Sequence, residues 1–257
     1  MKTNLQHWGI LLLALLLLGC EKESVSLPND DEPENNFDCE PSPSGLDWFA
    51  TDIYQQATYV IGEEKDSLPE LAVDFEMPSD LIDELSNVFG AFYDLEGDLN
   101  RDTIVDILEI HDLVYYGGVI GLRADTGLVW IEQMKNENYP TGEPIVDALI
   151  DELNLAYHHI LPLPTYSILY LRVDPTINLH TVLEQLEEAE GVSYGWLSTR
   201  VGGTNIFTER ENGNYYFTFT YGWGDCAISC SNNRFWEFKV SPDCEVEFLQ
   251  SYGDILQ

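Results

Sequence analysis

Positive charge is the scarcest feature of this chain. Against 46 Asp and Glu there are only 11 Lys and Arg, a formal net charge of −35 over 257 residues. A polyanion is repelled by such a surface, which excludes nucleic acid as a partner. A run long enough to span a bilayer is also missing: the main apolar stretch, from Trp8 to Leu18, falls short of the roughly 20 residues a membrane helix needs. Catalytic motifs are sparse. There is no His-Glu-x-x-His, no phosphate-cradling glycine loop and no Cys-x-x-Cys, so none of these motifs supplies a catalytic or metal assignment.

What is present begins at the N-terminus. Lys2 gives a short basic start, the run from Trp8 to Leu18 follows, and Leu17-Leu18-Gly19-Cys20 stands at its end. A basic start followed by a short apolar core reads as a signal peptide over residues 1–19. The four residues at its end resemble the lipobox of bacterial lipoproteins, which implies acylation of Cys20 and attachment to a membrane through that lipid. Two or three acyl chains, at roughly 0.8 kcal/mol per buried methylene, suffice for stable anchoring. Residues 20–45 are rich in Asp, Glu, Asn, Pro and Ser, a composition that reads as a solvated tether. Its start, Glu21-Lys22-Glu23-Ser24, resembles the surface-export signals of Bacteroidota lipoproteins. The expected location is therefore the outer membrane, lipid-anchored, with the face of that membrane left open.

Apart from Cys20 there are four cysteines, Cys39, Cys226, Cys230 and Cys244. An even number in an oxidising compartment argues for two disulfides, for which three pairings exist. The short separation of Cys226 and Cys230 favours a small closed loop, leaving Cys39 with Cys244. Zinc is disfavoured, because no histidine follows His180 and knuckle spacing is absent.

Residues 46–138 form an N-terminal α+β region. Trp48, Phe49, Ile53, Tyr54 and Tyr59 supply apolar material near its start. Leu81, Ile82, Leu85, Val88, Phe89 and Phe92 recur at helical spacing, with Ser79 and Asp80 as cap candidates. Gly117-Gly118 and Gly121 mark turns. In residues 139–200 the spacing predicts a helix from Pro144 to Tyr157, a buried strand from Ser167 to Val173, a helix from Asn178 to Glu190 and a strand from Val192 to Thr199. The run Tyr170-Leu-Arg-Val-Asp-Pro-Thr-Ile-Asn-Leu-His180, with Leu183 to Leu186 and Glu190-Gly191-Val192-Ser193-Tyr194, resembles the ferredoxin-like prodomain of subtilisin-type proteases. That resemblance covers Thr141 to Ser198 and implies a ferredoxin-like unit and an inhibitor's role. Residues 201–257 read as an antiparallel, β-rich, disulfide-stapled end, with Ser241-Pro242-Asp243 turning a hairpin. There, Gly222-Trp-Gly-Asp-Cys-Ala-Ile-Ser-Cys230 with Phe235-Trp236 resembles a segment of uncharacterised secreted bacterial proteins.

The sharpest ligand pattern is Asp98, Asn100, Asp102, Asp106 and Glu109. It resembles the calcium loop of EF-hands, although Thr103 stands where such a loop needs a left-handed glycine. An acidic turn followed by an apolar helix is the plainer reading. Outside the signal the histidines are His111, His158, His159 and His180, and the adjacent pair is expected to point to opposite faces of a strand. Trp48, Trp130, Trp196, Trp223 and Trp236 can stack on sugars or fill a core, the second being the commoner use. The expectation is an α+β extracytoplasmic lipoprotein with a non-enzymatic binding or structural role toward an unknown protein or polymer. An inhibitor, or an enzyme acting on an extracellular polymer, is the alternative.

Overall fold

Ser42 and Pro43 start the first helix in the way their chemistry allows. The Ser42 hydroxyl accepts the Gly45 N–H at 3.2 Å, and proline occupies the first turn, where its missing N–H costs nothing. The computed structural model describes residues 37, 42–112, 117–198, 203–226 and 230–256, all within the compact unit Asn35–Gln257. Helix α1 is Pro43–Glu64 and α2 is Ser79–Tyr93. Ser42 also donates to Asp94 at 2.6 Å, which clamps the start of α1 to the end of α2. The predicted inner row of α2 is observed: Leu81, Leu85, Val88, Phe89 and Phe92 are buried. Its cap differs from expectation. Pro78 precedes the first turn and no side chain caps it, since Ser79 is already helical.

Both helices pack on a meander of four antiparallel strands, β5 (Asn205–Glu211), β6 (Asn214–Trp223), β7 (Asn232–Val240) and β8 (Val246–Gly253). Tyr215, Phe217 and Phe219 alternate along β6 onto the helical side. Phe89 meets Phe217 at 4.7 Å and Phe92 meets Phe219 at 4.5 Å between ring centroids. Each such fully buried ring contributes roughly 1.5–3 kcal/mol by leaving water. The β7–β8 connection contains Ser241-Pro242-Asp243, closed by the Ser241 N–H on Glu245 O. Cys226 and Cys230 are joined by a disulfide.

A second core lies under another four-stranded sheet. Its elements run β1 (Val119–Ala124), α4 (Val129–Lys135), α5 (Pro144–Leu153), β2 (Ala156–Pro162), β3 (Ser167–Arg172), α6 (Leu179–Glu187) and β4 (Val192–Leu197). The strand order is β2-β3-β1-β4, every pair antiparallel. Ile120, Leu122, Leu169 and Leu171 meet Trp130, Met134, Val146, Leu149, Val182 and Leu186 on the helical side. Helix α5 stops earlier than its spacing predicts. Asn154 adopts φ 55°, a left-handed cap that asparagine tolerates, and the chain then enters β2, so Tyr157 lies in a strand. Gly121, expected at a turn, lies inside β1. Two antiparallel sheets with helices thus give the α+β class that the residue pattern implied.

The two halves meet through α6. Asn178 caps it and donates to Leu71 O at 2.8 Å, while His180 Nε2 lies 3.0 Å from Thr58 O of α1. The first half therefore docks on the helical side of the β1–β4 sheet.

Candidate binding face

Alternation along the strands sends a second set of side chains to the opposite face of the β2-β3-β1-β4 sheet. On β3 these are Ile168, Tyr170 and Arg172, between the buried Ser167, Leu169 and Leu171. On β1, Arg123 is exposed, and on β4 Tyr194 and Trp196 flank the buried Gly195. Trp196 pairs with Gly121 across β1–β4, and its indole lies face-on over that glycine: a Cβ there would fall 2.3 Å from ring carbon Cε2. The absence of a side chain at Gly121 is what lets the ring lie flat.

The neighbouring rings are ordered about it. Tyr194 is 5.9 Å from Trp196 with planes only 22° apart, and it is 59% exposed. Tyr170 stands perpendicular to Trp196, at 88° and 6.2 Å, and His159 lies parallel to Tyr170 at 6.3 Å. The arrangement is a floor of Trp196, with Tyr194 nearly parallel to it and Tyr170 and His159 upright at its side. Arg123 is packed over the Tyr166 ring, its guanidinium carbon 4.2 Å from the centroid.

His158 and His159 do not point to opposite faces as expected. The β2–β3 register shifts between Tyr157 and His159, so an extra residue is accommodated there. Tyr157 and Ile160 both pack on the second core, which leaves the two histidines between them on the other face. His159 reaches Tyr170, while His158 Nδ1 lies 3.5 Å from Arg172 Nη2. Partial burial, the Arg172 charge and His159 lower the His158 pKa, so the ring is neutral at pH 7. A bulge is the usual device for re-aiming side chains in this way.

Not one residue of these four strands is acidic, although the chain holds 46 acidic residues. Two arginines and two histidines supply all the ionisable chemistry of the face besides tyrosine.

The residues singled out by pattern are placed elsewhere. Asp98 caps a short helix, α3 (Leu99–Asp102), accepting the N–H groups of Asn100 and Arg101 at 2.8 and 3.0 Å. Arg101 pairs with Asp106 at 2.6 Å and Asp102 at 3.3 Å. Thr103 has φ −63°, right-handed helix, and the chain continues helically to Ile107. Asp98 to Asp106 therefore follow a helix from its cap onward, and Glu109 lies beyond its end with φ 47°, so the five do not trace a calcium loop. Among the described residues no group of three or more His, Cys, Asp or Glu is gathered for a metal. Cys20 and the Cys39–Cys244 pairing lie outside the described residues, because Cys20 and Cys39 do.

Two further features lie outside the residues singled out above, the first of them a motif carried by the sequence itself. Gly191-Val192-Ser193-Tyr194-Gly195 spells the Gly-x-Ser-x-Gly of a nucleophile elbow. Here it enters and follows β4 instead of turning from strand to helix, and Ser193 Oγ donates to Arg123 O at 3.2 Å. The other is a buried polar cluster. Asp52, 2% exposed, lies 2.7 Å from His111 Nδ1, and Asp112 accepts the Ile206 N–H at 2.9 Å and also bonds Gln56. The bond to Asp52 is the main influence raising the His111 pKa. The signal was present in Asp52 and Gln56, polar residues four apart on the apolar face of α1. With both carboxylates of the cluster bonded to protein groups, it serves as a clasp between α1 and β5.

Among the described residues no helix is long and apolar enough to cross a membrane. Set against family models, curated proteins and solved structures, the chain matches none.

Proposed function

We propose that this protein is an exported lipoprotein, acylated at Cys20 and held on the outer membrane, whose body is a non-enzymatic binding module working through the open face of the β1–β4 sheet. The element order β1-α4-α5-β2-β3-α6-β4, a βαββαβ pattern with a second helix in its first crossover, and the antiparallel strand order β2-β3-β1-β4 support a ferredoxin-like reading of residues 119–197, a scaffold that leaves one sheet face uncovered. A fold of this kind does not define an activity, so the role is argued from the face. The carrying observation is the complete absence of Asp and Glu from the four strands of a chain with net charge −35. An exposed surface that needed only to be soluble would share the acidity of the rest. This one presents Trp, Tyr, Arg and His, the residues enriched where proteins make contacts.

Two measurements test the reading. Cys20→Ala abolishes labelling by palmitate and releases the protein from the membrane fraction; retained label overturns the anchor. Oxidative footprinting of Tyr194 and Trp196 on intact cells, compared with the purified protein, shows protection of both. Equal oxidation in the two settings overturns the face as the contact surface.

A further inference from the structure

We infer that the occupant of this face is a neutral glycan, whose pyranose rings stack on Trp196 and Tyr194 while its hydroxyls are held by the arginines and histidines around them. The inference rests on the reading of the sheet face as the contact surface. Its first support is ring geometry. The indole of Trp196 is laid flat over Gly121, so its other π-face is turned away from the sheet. The Tyr194 ring lies nearly parallel to it, 22° off, with centroids 5.9 Å apart. A flat aromatic floor suits the apolar C–H face of a sugar ring, whereas a tryptophan anchoring a protein interface is seated in a pocket. The upright Tyr170, with His159 parallel to it, bounds one side of the floor and supplies polar edges for hydroxyl groups.

The second support is charge. A polyanion, whether nucleic acid, polyuronate or an acidic protein, approaches a molecule of net charge −35 against its whole field. A cation is drawn to the acidic surfaces and away from these strands. A neutral polymer meets neither effect, and for it the local chemistry decides. Arg123, packed over Tyr166, holds its planar donors in place. His158 stays uncharged at neutral pH, and with Nδ1 facing the Arg172 guanidinium its Nε2–H is left to donate to a hydroxyl. Together these make a site that recognises uncharged hydroxylated rings.

The test is native affinity electrophoresis of the mature chain, made lipid-free by Cys20→Ser, through gels containing neutral polysaccharides of glucose, mannose, galactose or xylose, with polygalacturonate as the anionic comparison. The expected result is retardation by at least one neutral polymer and none by polygalacturonate. Trp196→Ala weakens that retardation at least ten-fold and Tyr194→Ala about three-fold or more. Tyr194 is largely exposed, so its variant keeps the test decisive if Trp196→Ala fails to fold. No retardation by any neutral polymer overturns the glycan assignment, as does retardation that survives both substitutions or is equal on polygalacturonate. Protection of Tyr194 on cells without any retardation overturns the glycan alone, leaving the contact face standing with a protein as its occupant.

Discussion

The carboxylate of Asp52 accepts the backbone N–H of Asp112 at 2.6 Å, and Asp112 in turn accepts the N–H of Ile206, so one chain of bonds joins α1 to β5. Both aspartates are buried, at 2% and 6% exposure. A buried carboxylate is tolerated only when bonded, and these use protein groups in place of water.

The cluster predicts how stability varies with pH. Burial pushes the Asp112 carboxyl up to about 7, against an ordinary value of 3.8, and the bond to Asp52 raises His111. Both groups bind protons more tightly folded than unfolded. For Asp112 the stabilisation is complete below about pH 4 and is lost as the pH rises to about 7; for His111 it is lost as the pH rises above 6.5. At about 1.4 kcal/mol per pKa unit, the Asp112 contribution is on the order of 4 kcal/mol. Thermal melting from pH 5 to 8 therefore shows a fall in Tm that is smaller in Asp112→Asn, which keeps an acceptor for Ile206. Parallel curves would count against this account.

Asn178 tests the joint between the two halves. It is 1% exposed, its Oδ1 accepts the His180 N–H at 3.2 Å, and its Nδ2 donates to Leu71 O. Asn178→Ala removes a helix cap worth about 1 kcal/mol and leaves a carbonyl unpaired at a cost of about 1–2 kcal/mol. Denaturant titration is expected to show a loss of about 2–3 kcal/mol, with Asn178→Ser intermediate because it keeps only the cap.

Arg210 ties three elements of the first core. Its guanidinium meets Glu64 at 2.5 and 2.9 Å and Glu84 at 3.2 Å, and Tyr215 donates to Glu84 at 2.8 Å. Burial and then Glu84 raise the Tyr215 pKa, which keeps the phenol a donor. Arg210→Lys loses the forked pairing and costs about 1–2 kcal/mol. Arg210→Met leaves two half-buried carboxylates without their cation and costs about 3 kcal/mol or more. Equal chemical-denaturation midpoints for the two variants would refute the role of the fork.

Gly121→Ala tests the platform without removing an aromatic residue. A Cβ 2.3 Å from the Trp196 ring forces the indole off the sheet. The near-UV circular dichroism of the variant changes, its far-UV spectrum does not, and retention by a neutral glycan falls about three-fold or more. An unchanged near-UV spectrum would show that the indole does not rest on Gly121.

Local elements and net charge are legible in the residues alone. The rows of α2, the strand from Ser167, the helix starting near Asn178 and the turn at Ser241-Pro242-Asp243 follow from spacing and side-chain chemistry between near neighbours. The contacts between distant segments come from the folded arrangement. That arrangement placed β1 between β3 and β4, bulged β2 so that His158 and His159 share a face, laid Trp196 over Gly121, and buried Asp52 with Asp112. Periodicity records which side of an element is apolar; it carries no record of the strand or ring that will lie against it. The face free of acid was written in the residues all along, but only the pairing of four separated strands gathered it into one surface.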